Sequence, residues 1–158
     1  MKTEDIPGME GFDVLTPETY EAMYPAEVLY VSTRDDLALI SFETDEDLAV
    51  MELADADPEI DDRIMCIGNP EGDWFAFSYG KVTSGMEKFG ESLGYESNVM
   101  KHSAYINVGS SGGAAVNEQM KLVGITPAAS ISPDGKDFKF GVLIPVSEIN
   151  ICLEEVQK

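Results

Sequence analysis

Ser103-Ala104-Tyr105-Ile106-Asn107-Val108-Gly109-Ser110-Ser111-Gly112-Gly113-Ala114 is the stretch on which the reading of this chain turns. Two serines stand among three glycines, between the apolar run Ala104-Tyr105-Ile106 and the strand-like Leu122-Val123-Gly124-Ile125. Glycine tolerates positive φ and close approach of other backbone, so the segment predicts a tight turn between two strands. A hydroxyl exposed on such a turn, beside backbone N–H groups free to face a developing oxyanion, is what a serine nucleophile requires. An ordinary glycine-serine loop has the same composition, and a small amide nest for phosphate is a third reading. The lysine and following helix of a P-loop are absent.

Working outward, short apolar or alternating runs rich in β-branched and aromatic residues recur at 27–31, 37–42, 48–53, 64–68, 74–82, 104–107, 122–125 and 138–145. Polar turns separate them, among them Ser32-Thr33-Arg34-Asp35, Asp45-Glu46-Asp47 and the region 130–137. A loop rich in glycine and charge is expected over 85–98. Before residue 24 the chain is polar and broken by proline and glycine, with Phe12, Val14 and Leu15 as a short strand and Thr16-Pro17-Glu18-Thr19 able to start a helical turn or, equally, to form a hairpin connection. From Val146 to Val156, Ile149, Leu153 and Val156 fall at helical spacing and Ser147 is placed to cap a terminal helix. No long helices separate the strands, which excludes parallel α/β architecture. The expected class is all-β, a barrel or sandwich with one C-terminal helix.

At 158 residues, the chain is long enough for one hydrophobic core and short for two full domains. Thirty acidic side chains face ten basic ones, for a formal charge of −20. Such a surface repels nucleic-acid phosphates and anionic lipid, and attracts basic peptides, basic proteins or divalent cations. No nucleic-acid or membrane partner is expected, and no residue run approaches transmembrane length. Met1-Lys2-Thr3-Glu4-Asp5 is not a signal peptide, and the location is left open.

Cys66 and Cys152 set no disulfide framework, although a bond between them stays open; Cys66 lies in the apolar run 64–67 and reads as a small buried thiol. With a single histidine, His102, and no CxxC, a structural zinc site is not expected. Asp55, Asp57, Asp61 and Asp62 lack the glycine turn and terminal glutamate of a calcium loop and read as an exposed loop. No metal and no cofactor is expected.

The stretch 103–114 resembles the segment around the active serine of trypsin-like serine proteases of the bacterial HtrA type. Other segments resemble that family in the same order: Asp36-Leu37-Ala38-Leu39-Ile40 the strand with the triad aspartate, Ile67-Gly68-Asn69-Pro70-Glu71-Gly72 the turn that opens the second barrel, and Val82-Thr83-Ser84-Gly85 the strand after it. Leu122-Val123-Gly124-Ile125 and Phe140-Gly141-Val142-Leu143-Ile144-Pro145 resemble the strands that wall the substrate pocket. The match spans about 26–150.

The resemblance implies a trypsin-like antiparallel β-barrel fold with an incomplete first barrel over 1–67 and a second barrel with the nucleophile loop and C-terminal helix over 68–158. It implies Ser111 as nucleophile, Asp36 as triad aspartate, the N–H groups of Gly109 and Ser111 as oxyanion hole, and Tyr105, Ile106, Gly124 and Ile125 along the substrate pocket. Tyr105 falls at the pocket base, where an aspartate would attract Lys or Arg, so a small or medium apolar side chain is the expected preference.

Val108, Ser110 and Ala114 depart from the family pattern in the turn, and there is no histidine in residues 1–35, where the general base belongs. His102, on the strand entering the turn, reads as a partly buried or surface side chain making a local bond. The implied function is that of a serine endopeptidase domain without its catalytic histidine and inactive alone, or else a pseudoprotease that binds peptides or proteins. Its partner is a polypeptide substrate. Self-association, or an N-terminal segment, would complete the first barrel and cover its unpaired edges.

Overall fold

The computed structural model describes residues 24–70, 76–89, 96–132, 134 and 137–156. The strand and helical turn expected before residue 24 lie outside these residues, as do Trp74 and Phe75. Among the described residues there are β1 (Ala26–Ser32), β2 (Leu37–Phe42), β3 (Arg63–Gly68), β4 (Ala76–Lys81), β5 (Glu87–Phe89), β6 (Ser97–His102), β7 (Gly113–Val116), β8 (Leu122–Thr126), β9 (Ala129–Ile131), β10 (Phe138–Pro145) and helix α1 (Val146–Val156). The fold is mostly β, with an open barrel-like sheet and one C-terminal helix.

β1 and β2 form a two-stranded antiparallel sheet of their own, with a bulge between Val28 and Tyr30. The other eight strands form one sheet in the order β4-β3-β7-β8-β10-β6-β5, with β9 on β10. This large sheet therefore begins at Arg63. It curls back on itself where Val82 bridges His102 and the N–H of Ser103 donates to the Lys81 carbonyl at 2.9 Å.

β10 is the hub, pairing with β6, β8 and β9. Its second half, Gly141 to Pro145, is buried on both faces, as its unbroken apolar run requires. β4, at the sheet edge, instead alternates half-buried and exposed residues and shows Phe77 and Tyr79 to solvent. Ile64, Cys66, Val82, Met100, Ala115, Val123 and Leu143 share one core cluster; Val99, Val142, Ile144, Ile149 and Cys152 share a second, roofed by α1. Both cysteines are free thiols, and burial pushes Cys66 up to about 12.

Five local expectations are corrected. Residues 104–107, expected as a strand, carry none, since the strand that enters the turn is β6 and ends at His102. Residues 48–53 form no strand of their own: only their end meets β8, where Leu53 bridges Leu122 and the Glu52 carbonyl accepts from the Leu122 N–H at 2.8 Å, while Val50 is 89% exposed. The loop expected over 85–98 contains β5, which pairs with the start of β6, and the turn expected over 130–137 begins inside β9. The acidic loop is not merely solvated. Asp57 accepts from the backbone N–H and the hydroxyl of Ser147 at 2.9 and 2.7 Å, so it, and not Ser147 alone, caps α1.

The hairpin is tied to the large sheet through its turn. Asp35 is buried, accepts from the Ser32 hydroxyl at 2.7 Å and pairs with Arg34 at 2.8 Å. Arg34 also lies 3.5 Å from Glu148 of α1, itself buried and accepting from Asn98 at 2.7 Å. The Arg34 carbonyl accepts from the Glu96 N–H at 3.1 Å. The bond and charge of Asp35 raise the pKa of Arg34 above its ordinary value.

Candidate active site

The glycine-serine turn hangs between β6 and β7 and is held by its own backbone. The Ser110 N–H donates to the Asn107 carbonyl and the Gly113 N–H to the Ser110 carbonyl, each at 2.9 Å. The Ser110 hydroxyl is turned inward, where it accepts from the Asn107 N–H at 3.2 Å, and Ser110 is only 5% exposed. Gly109 and Gly112 sit at φ 94° and 82°, the left-handed region that a side chain would strain. A Cβ on Gly113 would lie 2.2 Å from the Ile67 carbonyl, so the turn can seat on the end of β3 only with glycine there.

One strut was not anticipated from the sequence. Thr126, at the end of β8, shares its hydroxyl proton between the carbonyls of Ser110 and Gly113 at 3.1 and 3.2 Å. Its own carbonyl accepts from the Gly112 N–H at 2.9 Å. The one available signal was a hydroxyl side chain ending an otherwise apolar run.

With Ser110 packed inward, Ser111 is left exposed at the apex. The N–H groups of Gly109 and Ser111 meet no acceptor among the described residues. Asp36 is also exposed and has φ 55°, next to the buried Asp35, so the β1–β2 turn divides two neighbouring aspartates between anchoring and solvent. Among the described residues no hydrogen bond joins Asp36, Ser111 and His102 to one another.

His102 is the clearest correction. It is neither at the surface nor locally bonded: it is 0% exposed and neither ring nitrogen has a hydrogen-bond partner. A Cβ on Gly141 would lie 2.1 Å from its Cε1, so the ring occupies the space that this glycine leaves open. Burial lowers its pKa, and backbone groups of Val142 and Ala104, near but not bonded, offset this only in part. The ring is a neutral filler of the core.

Tyr105 and Ile106 line a cavity of about 70 Å³ together with Cys66, Gly68, Phe77 and Ser110. Ile106 is buried, while Tyr105 is exposed and packs its ring on Phe138 with centroids 5.2 Å apart. Gly124 and Ile125 stand apart from this cavity on β8, where Gly124 passes under the Ile144 carbonyl and Ile125 packs in the second core cluster. No group of three or more acidic, histidine or cysteine side chains fit to hold a metal occurs among the described residues.

The model of the trypsin-like peptidase domain matches residues 10–125, more than half of the chain. The chain belongs to the trypsin-like peptidase domain family. Within it, the chain is related to the bacterial HtrA/DegP type. It is 32% identical over 136 residues to a probable periplasmic serine endoprotease DegP-like protein of Buchnera aphidicola, covering 85% of this chain and 28% of that protein. It is 34% identical over 123 residues to the periplasmic serine endoprotease DegP of Salmonella typhimurium, covering 77% and 26%. The chain thus spans little more than a quarter of the length of these relatives. In structure it is similar to the MamO protease domain of Magnetospirillum magneticum, with a TM-score of 0.69, 25% identity, and 81% of this chain and 67% of that one covered. Rv3671c of M. tuberculosis shares the fold at a TM-score of 0.70 and 16% identity, over 85% and 65% of the two chains. Among the described residues no helix is long and apolar enough to cross a membrane.

Proposed function

We propose that this trypsin-like domain is the aspartate- and serine-bearing part of a serine endopeptidase acting on polypeptides, with Ser111 as nucleophile, and that the chain alone does not turn over substrate. The supporting observation is the turn itself: Ser111 exposed at its apex, with the Gly109 and Ser111 N–H groups lacking acceptors. An attacked carbonyl seated there would place its developing negative charge against those two donors. Asp36 is the residue that would orient an imidazole, and its position at the head of β2 supports that role. The 70 Å³ cavity beside Ser110 is about half the size of one that admits benzene, and Tyr105 brings no charge, so a small apolar side chain suits the substrate better than a basic one.

The general base is what the chain lacks. Its single histidine is sealed in the core with no bond to Ser111, and a serine hydroxyl without a base is a weak nucleophile. Loss of the base costs on the order of 10² to 10⁴ in rate, and more in a triad whose members act as a unit. The same observation favours a second reading, a pseudoprotease that keeps the binding surface and has lost the chemistry.

A fluorophosphonate probe read by intact-mass spectrometry, with Ser111→Ala as control, tests the proposal. The chain alone is expected to label negligibly over hours. Labelling that appears when a histidine-bearing segment of the same gene is added supports the endopeptidase, and none in either case supports the pseudoprotease. Rapid Ser111-dependent labelling of the chain alone would refute the proposed inactivity.

A further inference from the structure

The turn between β1 and β2 holds two aspartates side by side, and the structure treats them differently. Asp35 is 3% exposed and accepts from the Ser32 hydroxyl at 2.7 Å. The Arg34 guanidinium donates to it in a fork, Nε to Oδ1 at 2.8 Å and Nη2 to Oδ2 at 3.0 Å. The same Nη2 lies 3.5 Å from Oε2 of Glu148 in α1, a buried oxygen with no hydrogen bond of its own. The other oxygen of Glu148 accepts from the Asn98 side chain in β6 at 2.7 Å. One guanidinium therefore bridges a carboxylate of the turn and a carboxylate of the helix. Both carboxylates are buried, so loss of that cation would leave the two uncompensated. The backbone is fastened at the same place: the Arg34 carbonyl accepts from the Glu96 N–H at 3.1 Å and from the Ser97 hydroxyl at 3.4 Å.

Asp36 is bracketed by these anchors. Its neighbours Asp35 and Leu37 are both buried, and Leu37 belongs to the core cluster under α1. Its own φ is 55°, in the left-handed region, a conformation that persists in a residue with a side chain where the surrounding structure over-determines it. The Asp36 carboxylate takes part in none of the bonds above. What the anchors fix is its backbone, and with it the direction in which the side chain leaves the turn. Relaxation of residue 36 to an ordinary negative φ would aim that carboxylate elsewhere.

We infer that Arg34, Asp35 and Glu148 are positioning residues for Asp36: their clamp between the β1–β2 turn and α1 holds Asp36 in its left-handed conformation and so sets where its carboxylate can meet an imidazole. The inference rests on the proposed role of Asp36 as the residue that orients that imidazole. All members of the clamp lie in the turn and α1, with Asn98 of β6 behind them.

NMR on the full chain reads the conformation at residue 36, because positive φ brings the N–H and Hα of one residue together and gives a strong NOE between them. The native chain is expected to show this NOE at Asp36. Asp35→Asn breaks the fork, and Glu148→Gln removes the helix charge while an oxygen stays in place for Asn98. Each should lose the NOE with the strands still folded, and the second variant keeps the test open if the first misfolds. Thr33→Val, in the same turn and outside the clamp, should retain it. Strain gives an independent reading. Asp36→Gly and Asp36→Ala remove the same charge, but only glycine takes φ 55° freely. In the native background the unfolding equilibrium constant should be about fivefold smaller for Asp36→Gly than for Asp36→Ala, and in Asp35→Asn that advantage should vanish. Where a histidine-bearing segment of the gene brings fluorophosphonate labelling of Ser111, both clamp variants should slow it at least about tenfold and Thr33→Val should not. An NOE missing from native Asp36 would overturn the inference. So would an NOE and a glycine advantage that survive in the folded clamp variants, or labelling of those variants at the native rate. Absence of labelling in the native chain with the segment would overturn the endopeptidase reading instead, and the NOE and the glycine comparison would still decide whether the clamp sets Asp36.

Discussion

The hairpin and the large sheet are made from equally apolar sequence and meet different fates. Val28-Leu29-Tyr30-Val31 is as strand-forming as Val142-Leu143-Ile144, yet the first is largely open to water and the second fully buried. The difference lies in partners. β10 has strands on both edges and α1 behind it, whereas among the described residues β1 pairs with β2 alone and reaches the core under α1 only through Tyr30. Charge follows the same division, since the first 52 residues hold fourteen of the thirty acidic groups and two of the ten basic ones. Propensity proposes a strand; neighbours decide whether it is core or contact surface.

The sharpest test compares packing in the two regions. Gly124 passes beneath β10 so closely that a Cβ would lie 2.3 Å from the Ile144 carbonyl. Backbone cannot step aside there without parting β8 from β10, so Gly124→Ala is expected to cost about 3 kcal/mol or more, or to prevent folding. Val28→Thr, in the open hairpin, should change stability by no more than about 0.5 kcal/mol. Urea denaturation of the two variants measures both. A tolerated Gly124→Ala would mean that the strands are not packed this closely.

A smaller effect is expected at the strut of the nucleophile turn. Thr126→Val removes the hydroxyl shared by the Ser110 and Gly113 carbonyls while keeping the side-chain shape, and should cost about 1–3 kcal/mol. Thr33→Val, at the exposed hairpin turn, should stay within about 0.5 kcal/mol. If the two variants melt together, the hydroxyl of Thr126 is not holding the turn.

β1 to β4, β8, β10, the terminal helix and the turn could be read from sequence because each has a local cause, whereas β5, β6, β7 and β9 could not. Alternation marks strands, Ile149, Leu153 and Val156 mark a helix, and three glycines around two serines mark a turn. What escaped reading was set by distant partners. Residues 48–53 look like a strand, but among the described residues only their end meets β8, and Asp57 looks like loop charge until α1 places Ser147 beside it. Thr126 reaches the turn only once β7 and β8 are paired. His102 looks like a polar residue bound for the surface until Gly141 leaves a hole of its shape.

That histidine supplies the last and smallest contrast, an effect absent at neutral pH. The folded chain holds His102 neutral, with burial lowering its pKa below the ordinary 6.5 and no charged side chain contributing to the shift. In the unfolded chain the ring titrates near 6.5. Between those two values the unfolded state binds the extra proton, so stability is full above pH 6.5 and falls as pH drops through the window beneath it. Urea midpoints measured across pH 7.5 to 5.5 are therefore expected to fall for the native sequence. They should run flat for His102→Leu and for His102→Asn, whatever each substitution costs at pH 7.5. Because the slope is compared and not the absolute stability, a cavity or strain left by either substitution does not blur the result. An identical slope in all three proteins would show that His102 does not carry the acid sensitivity of this core.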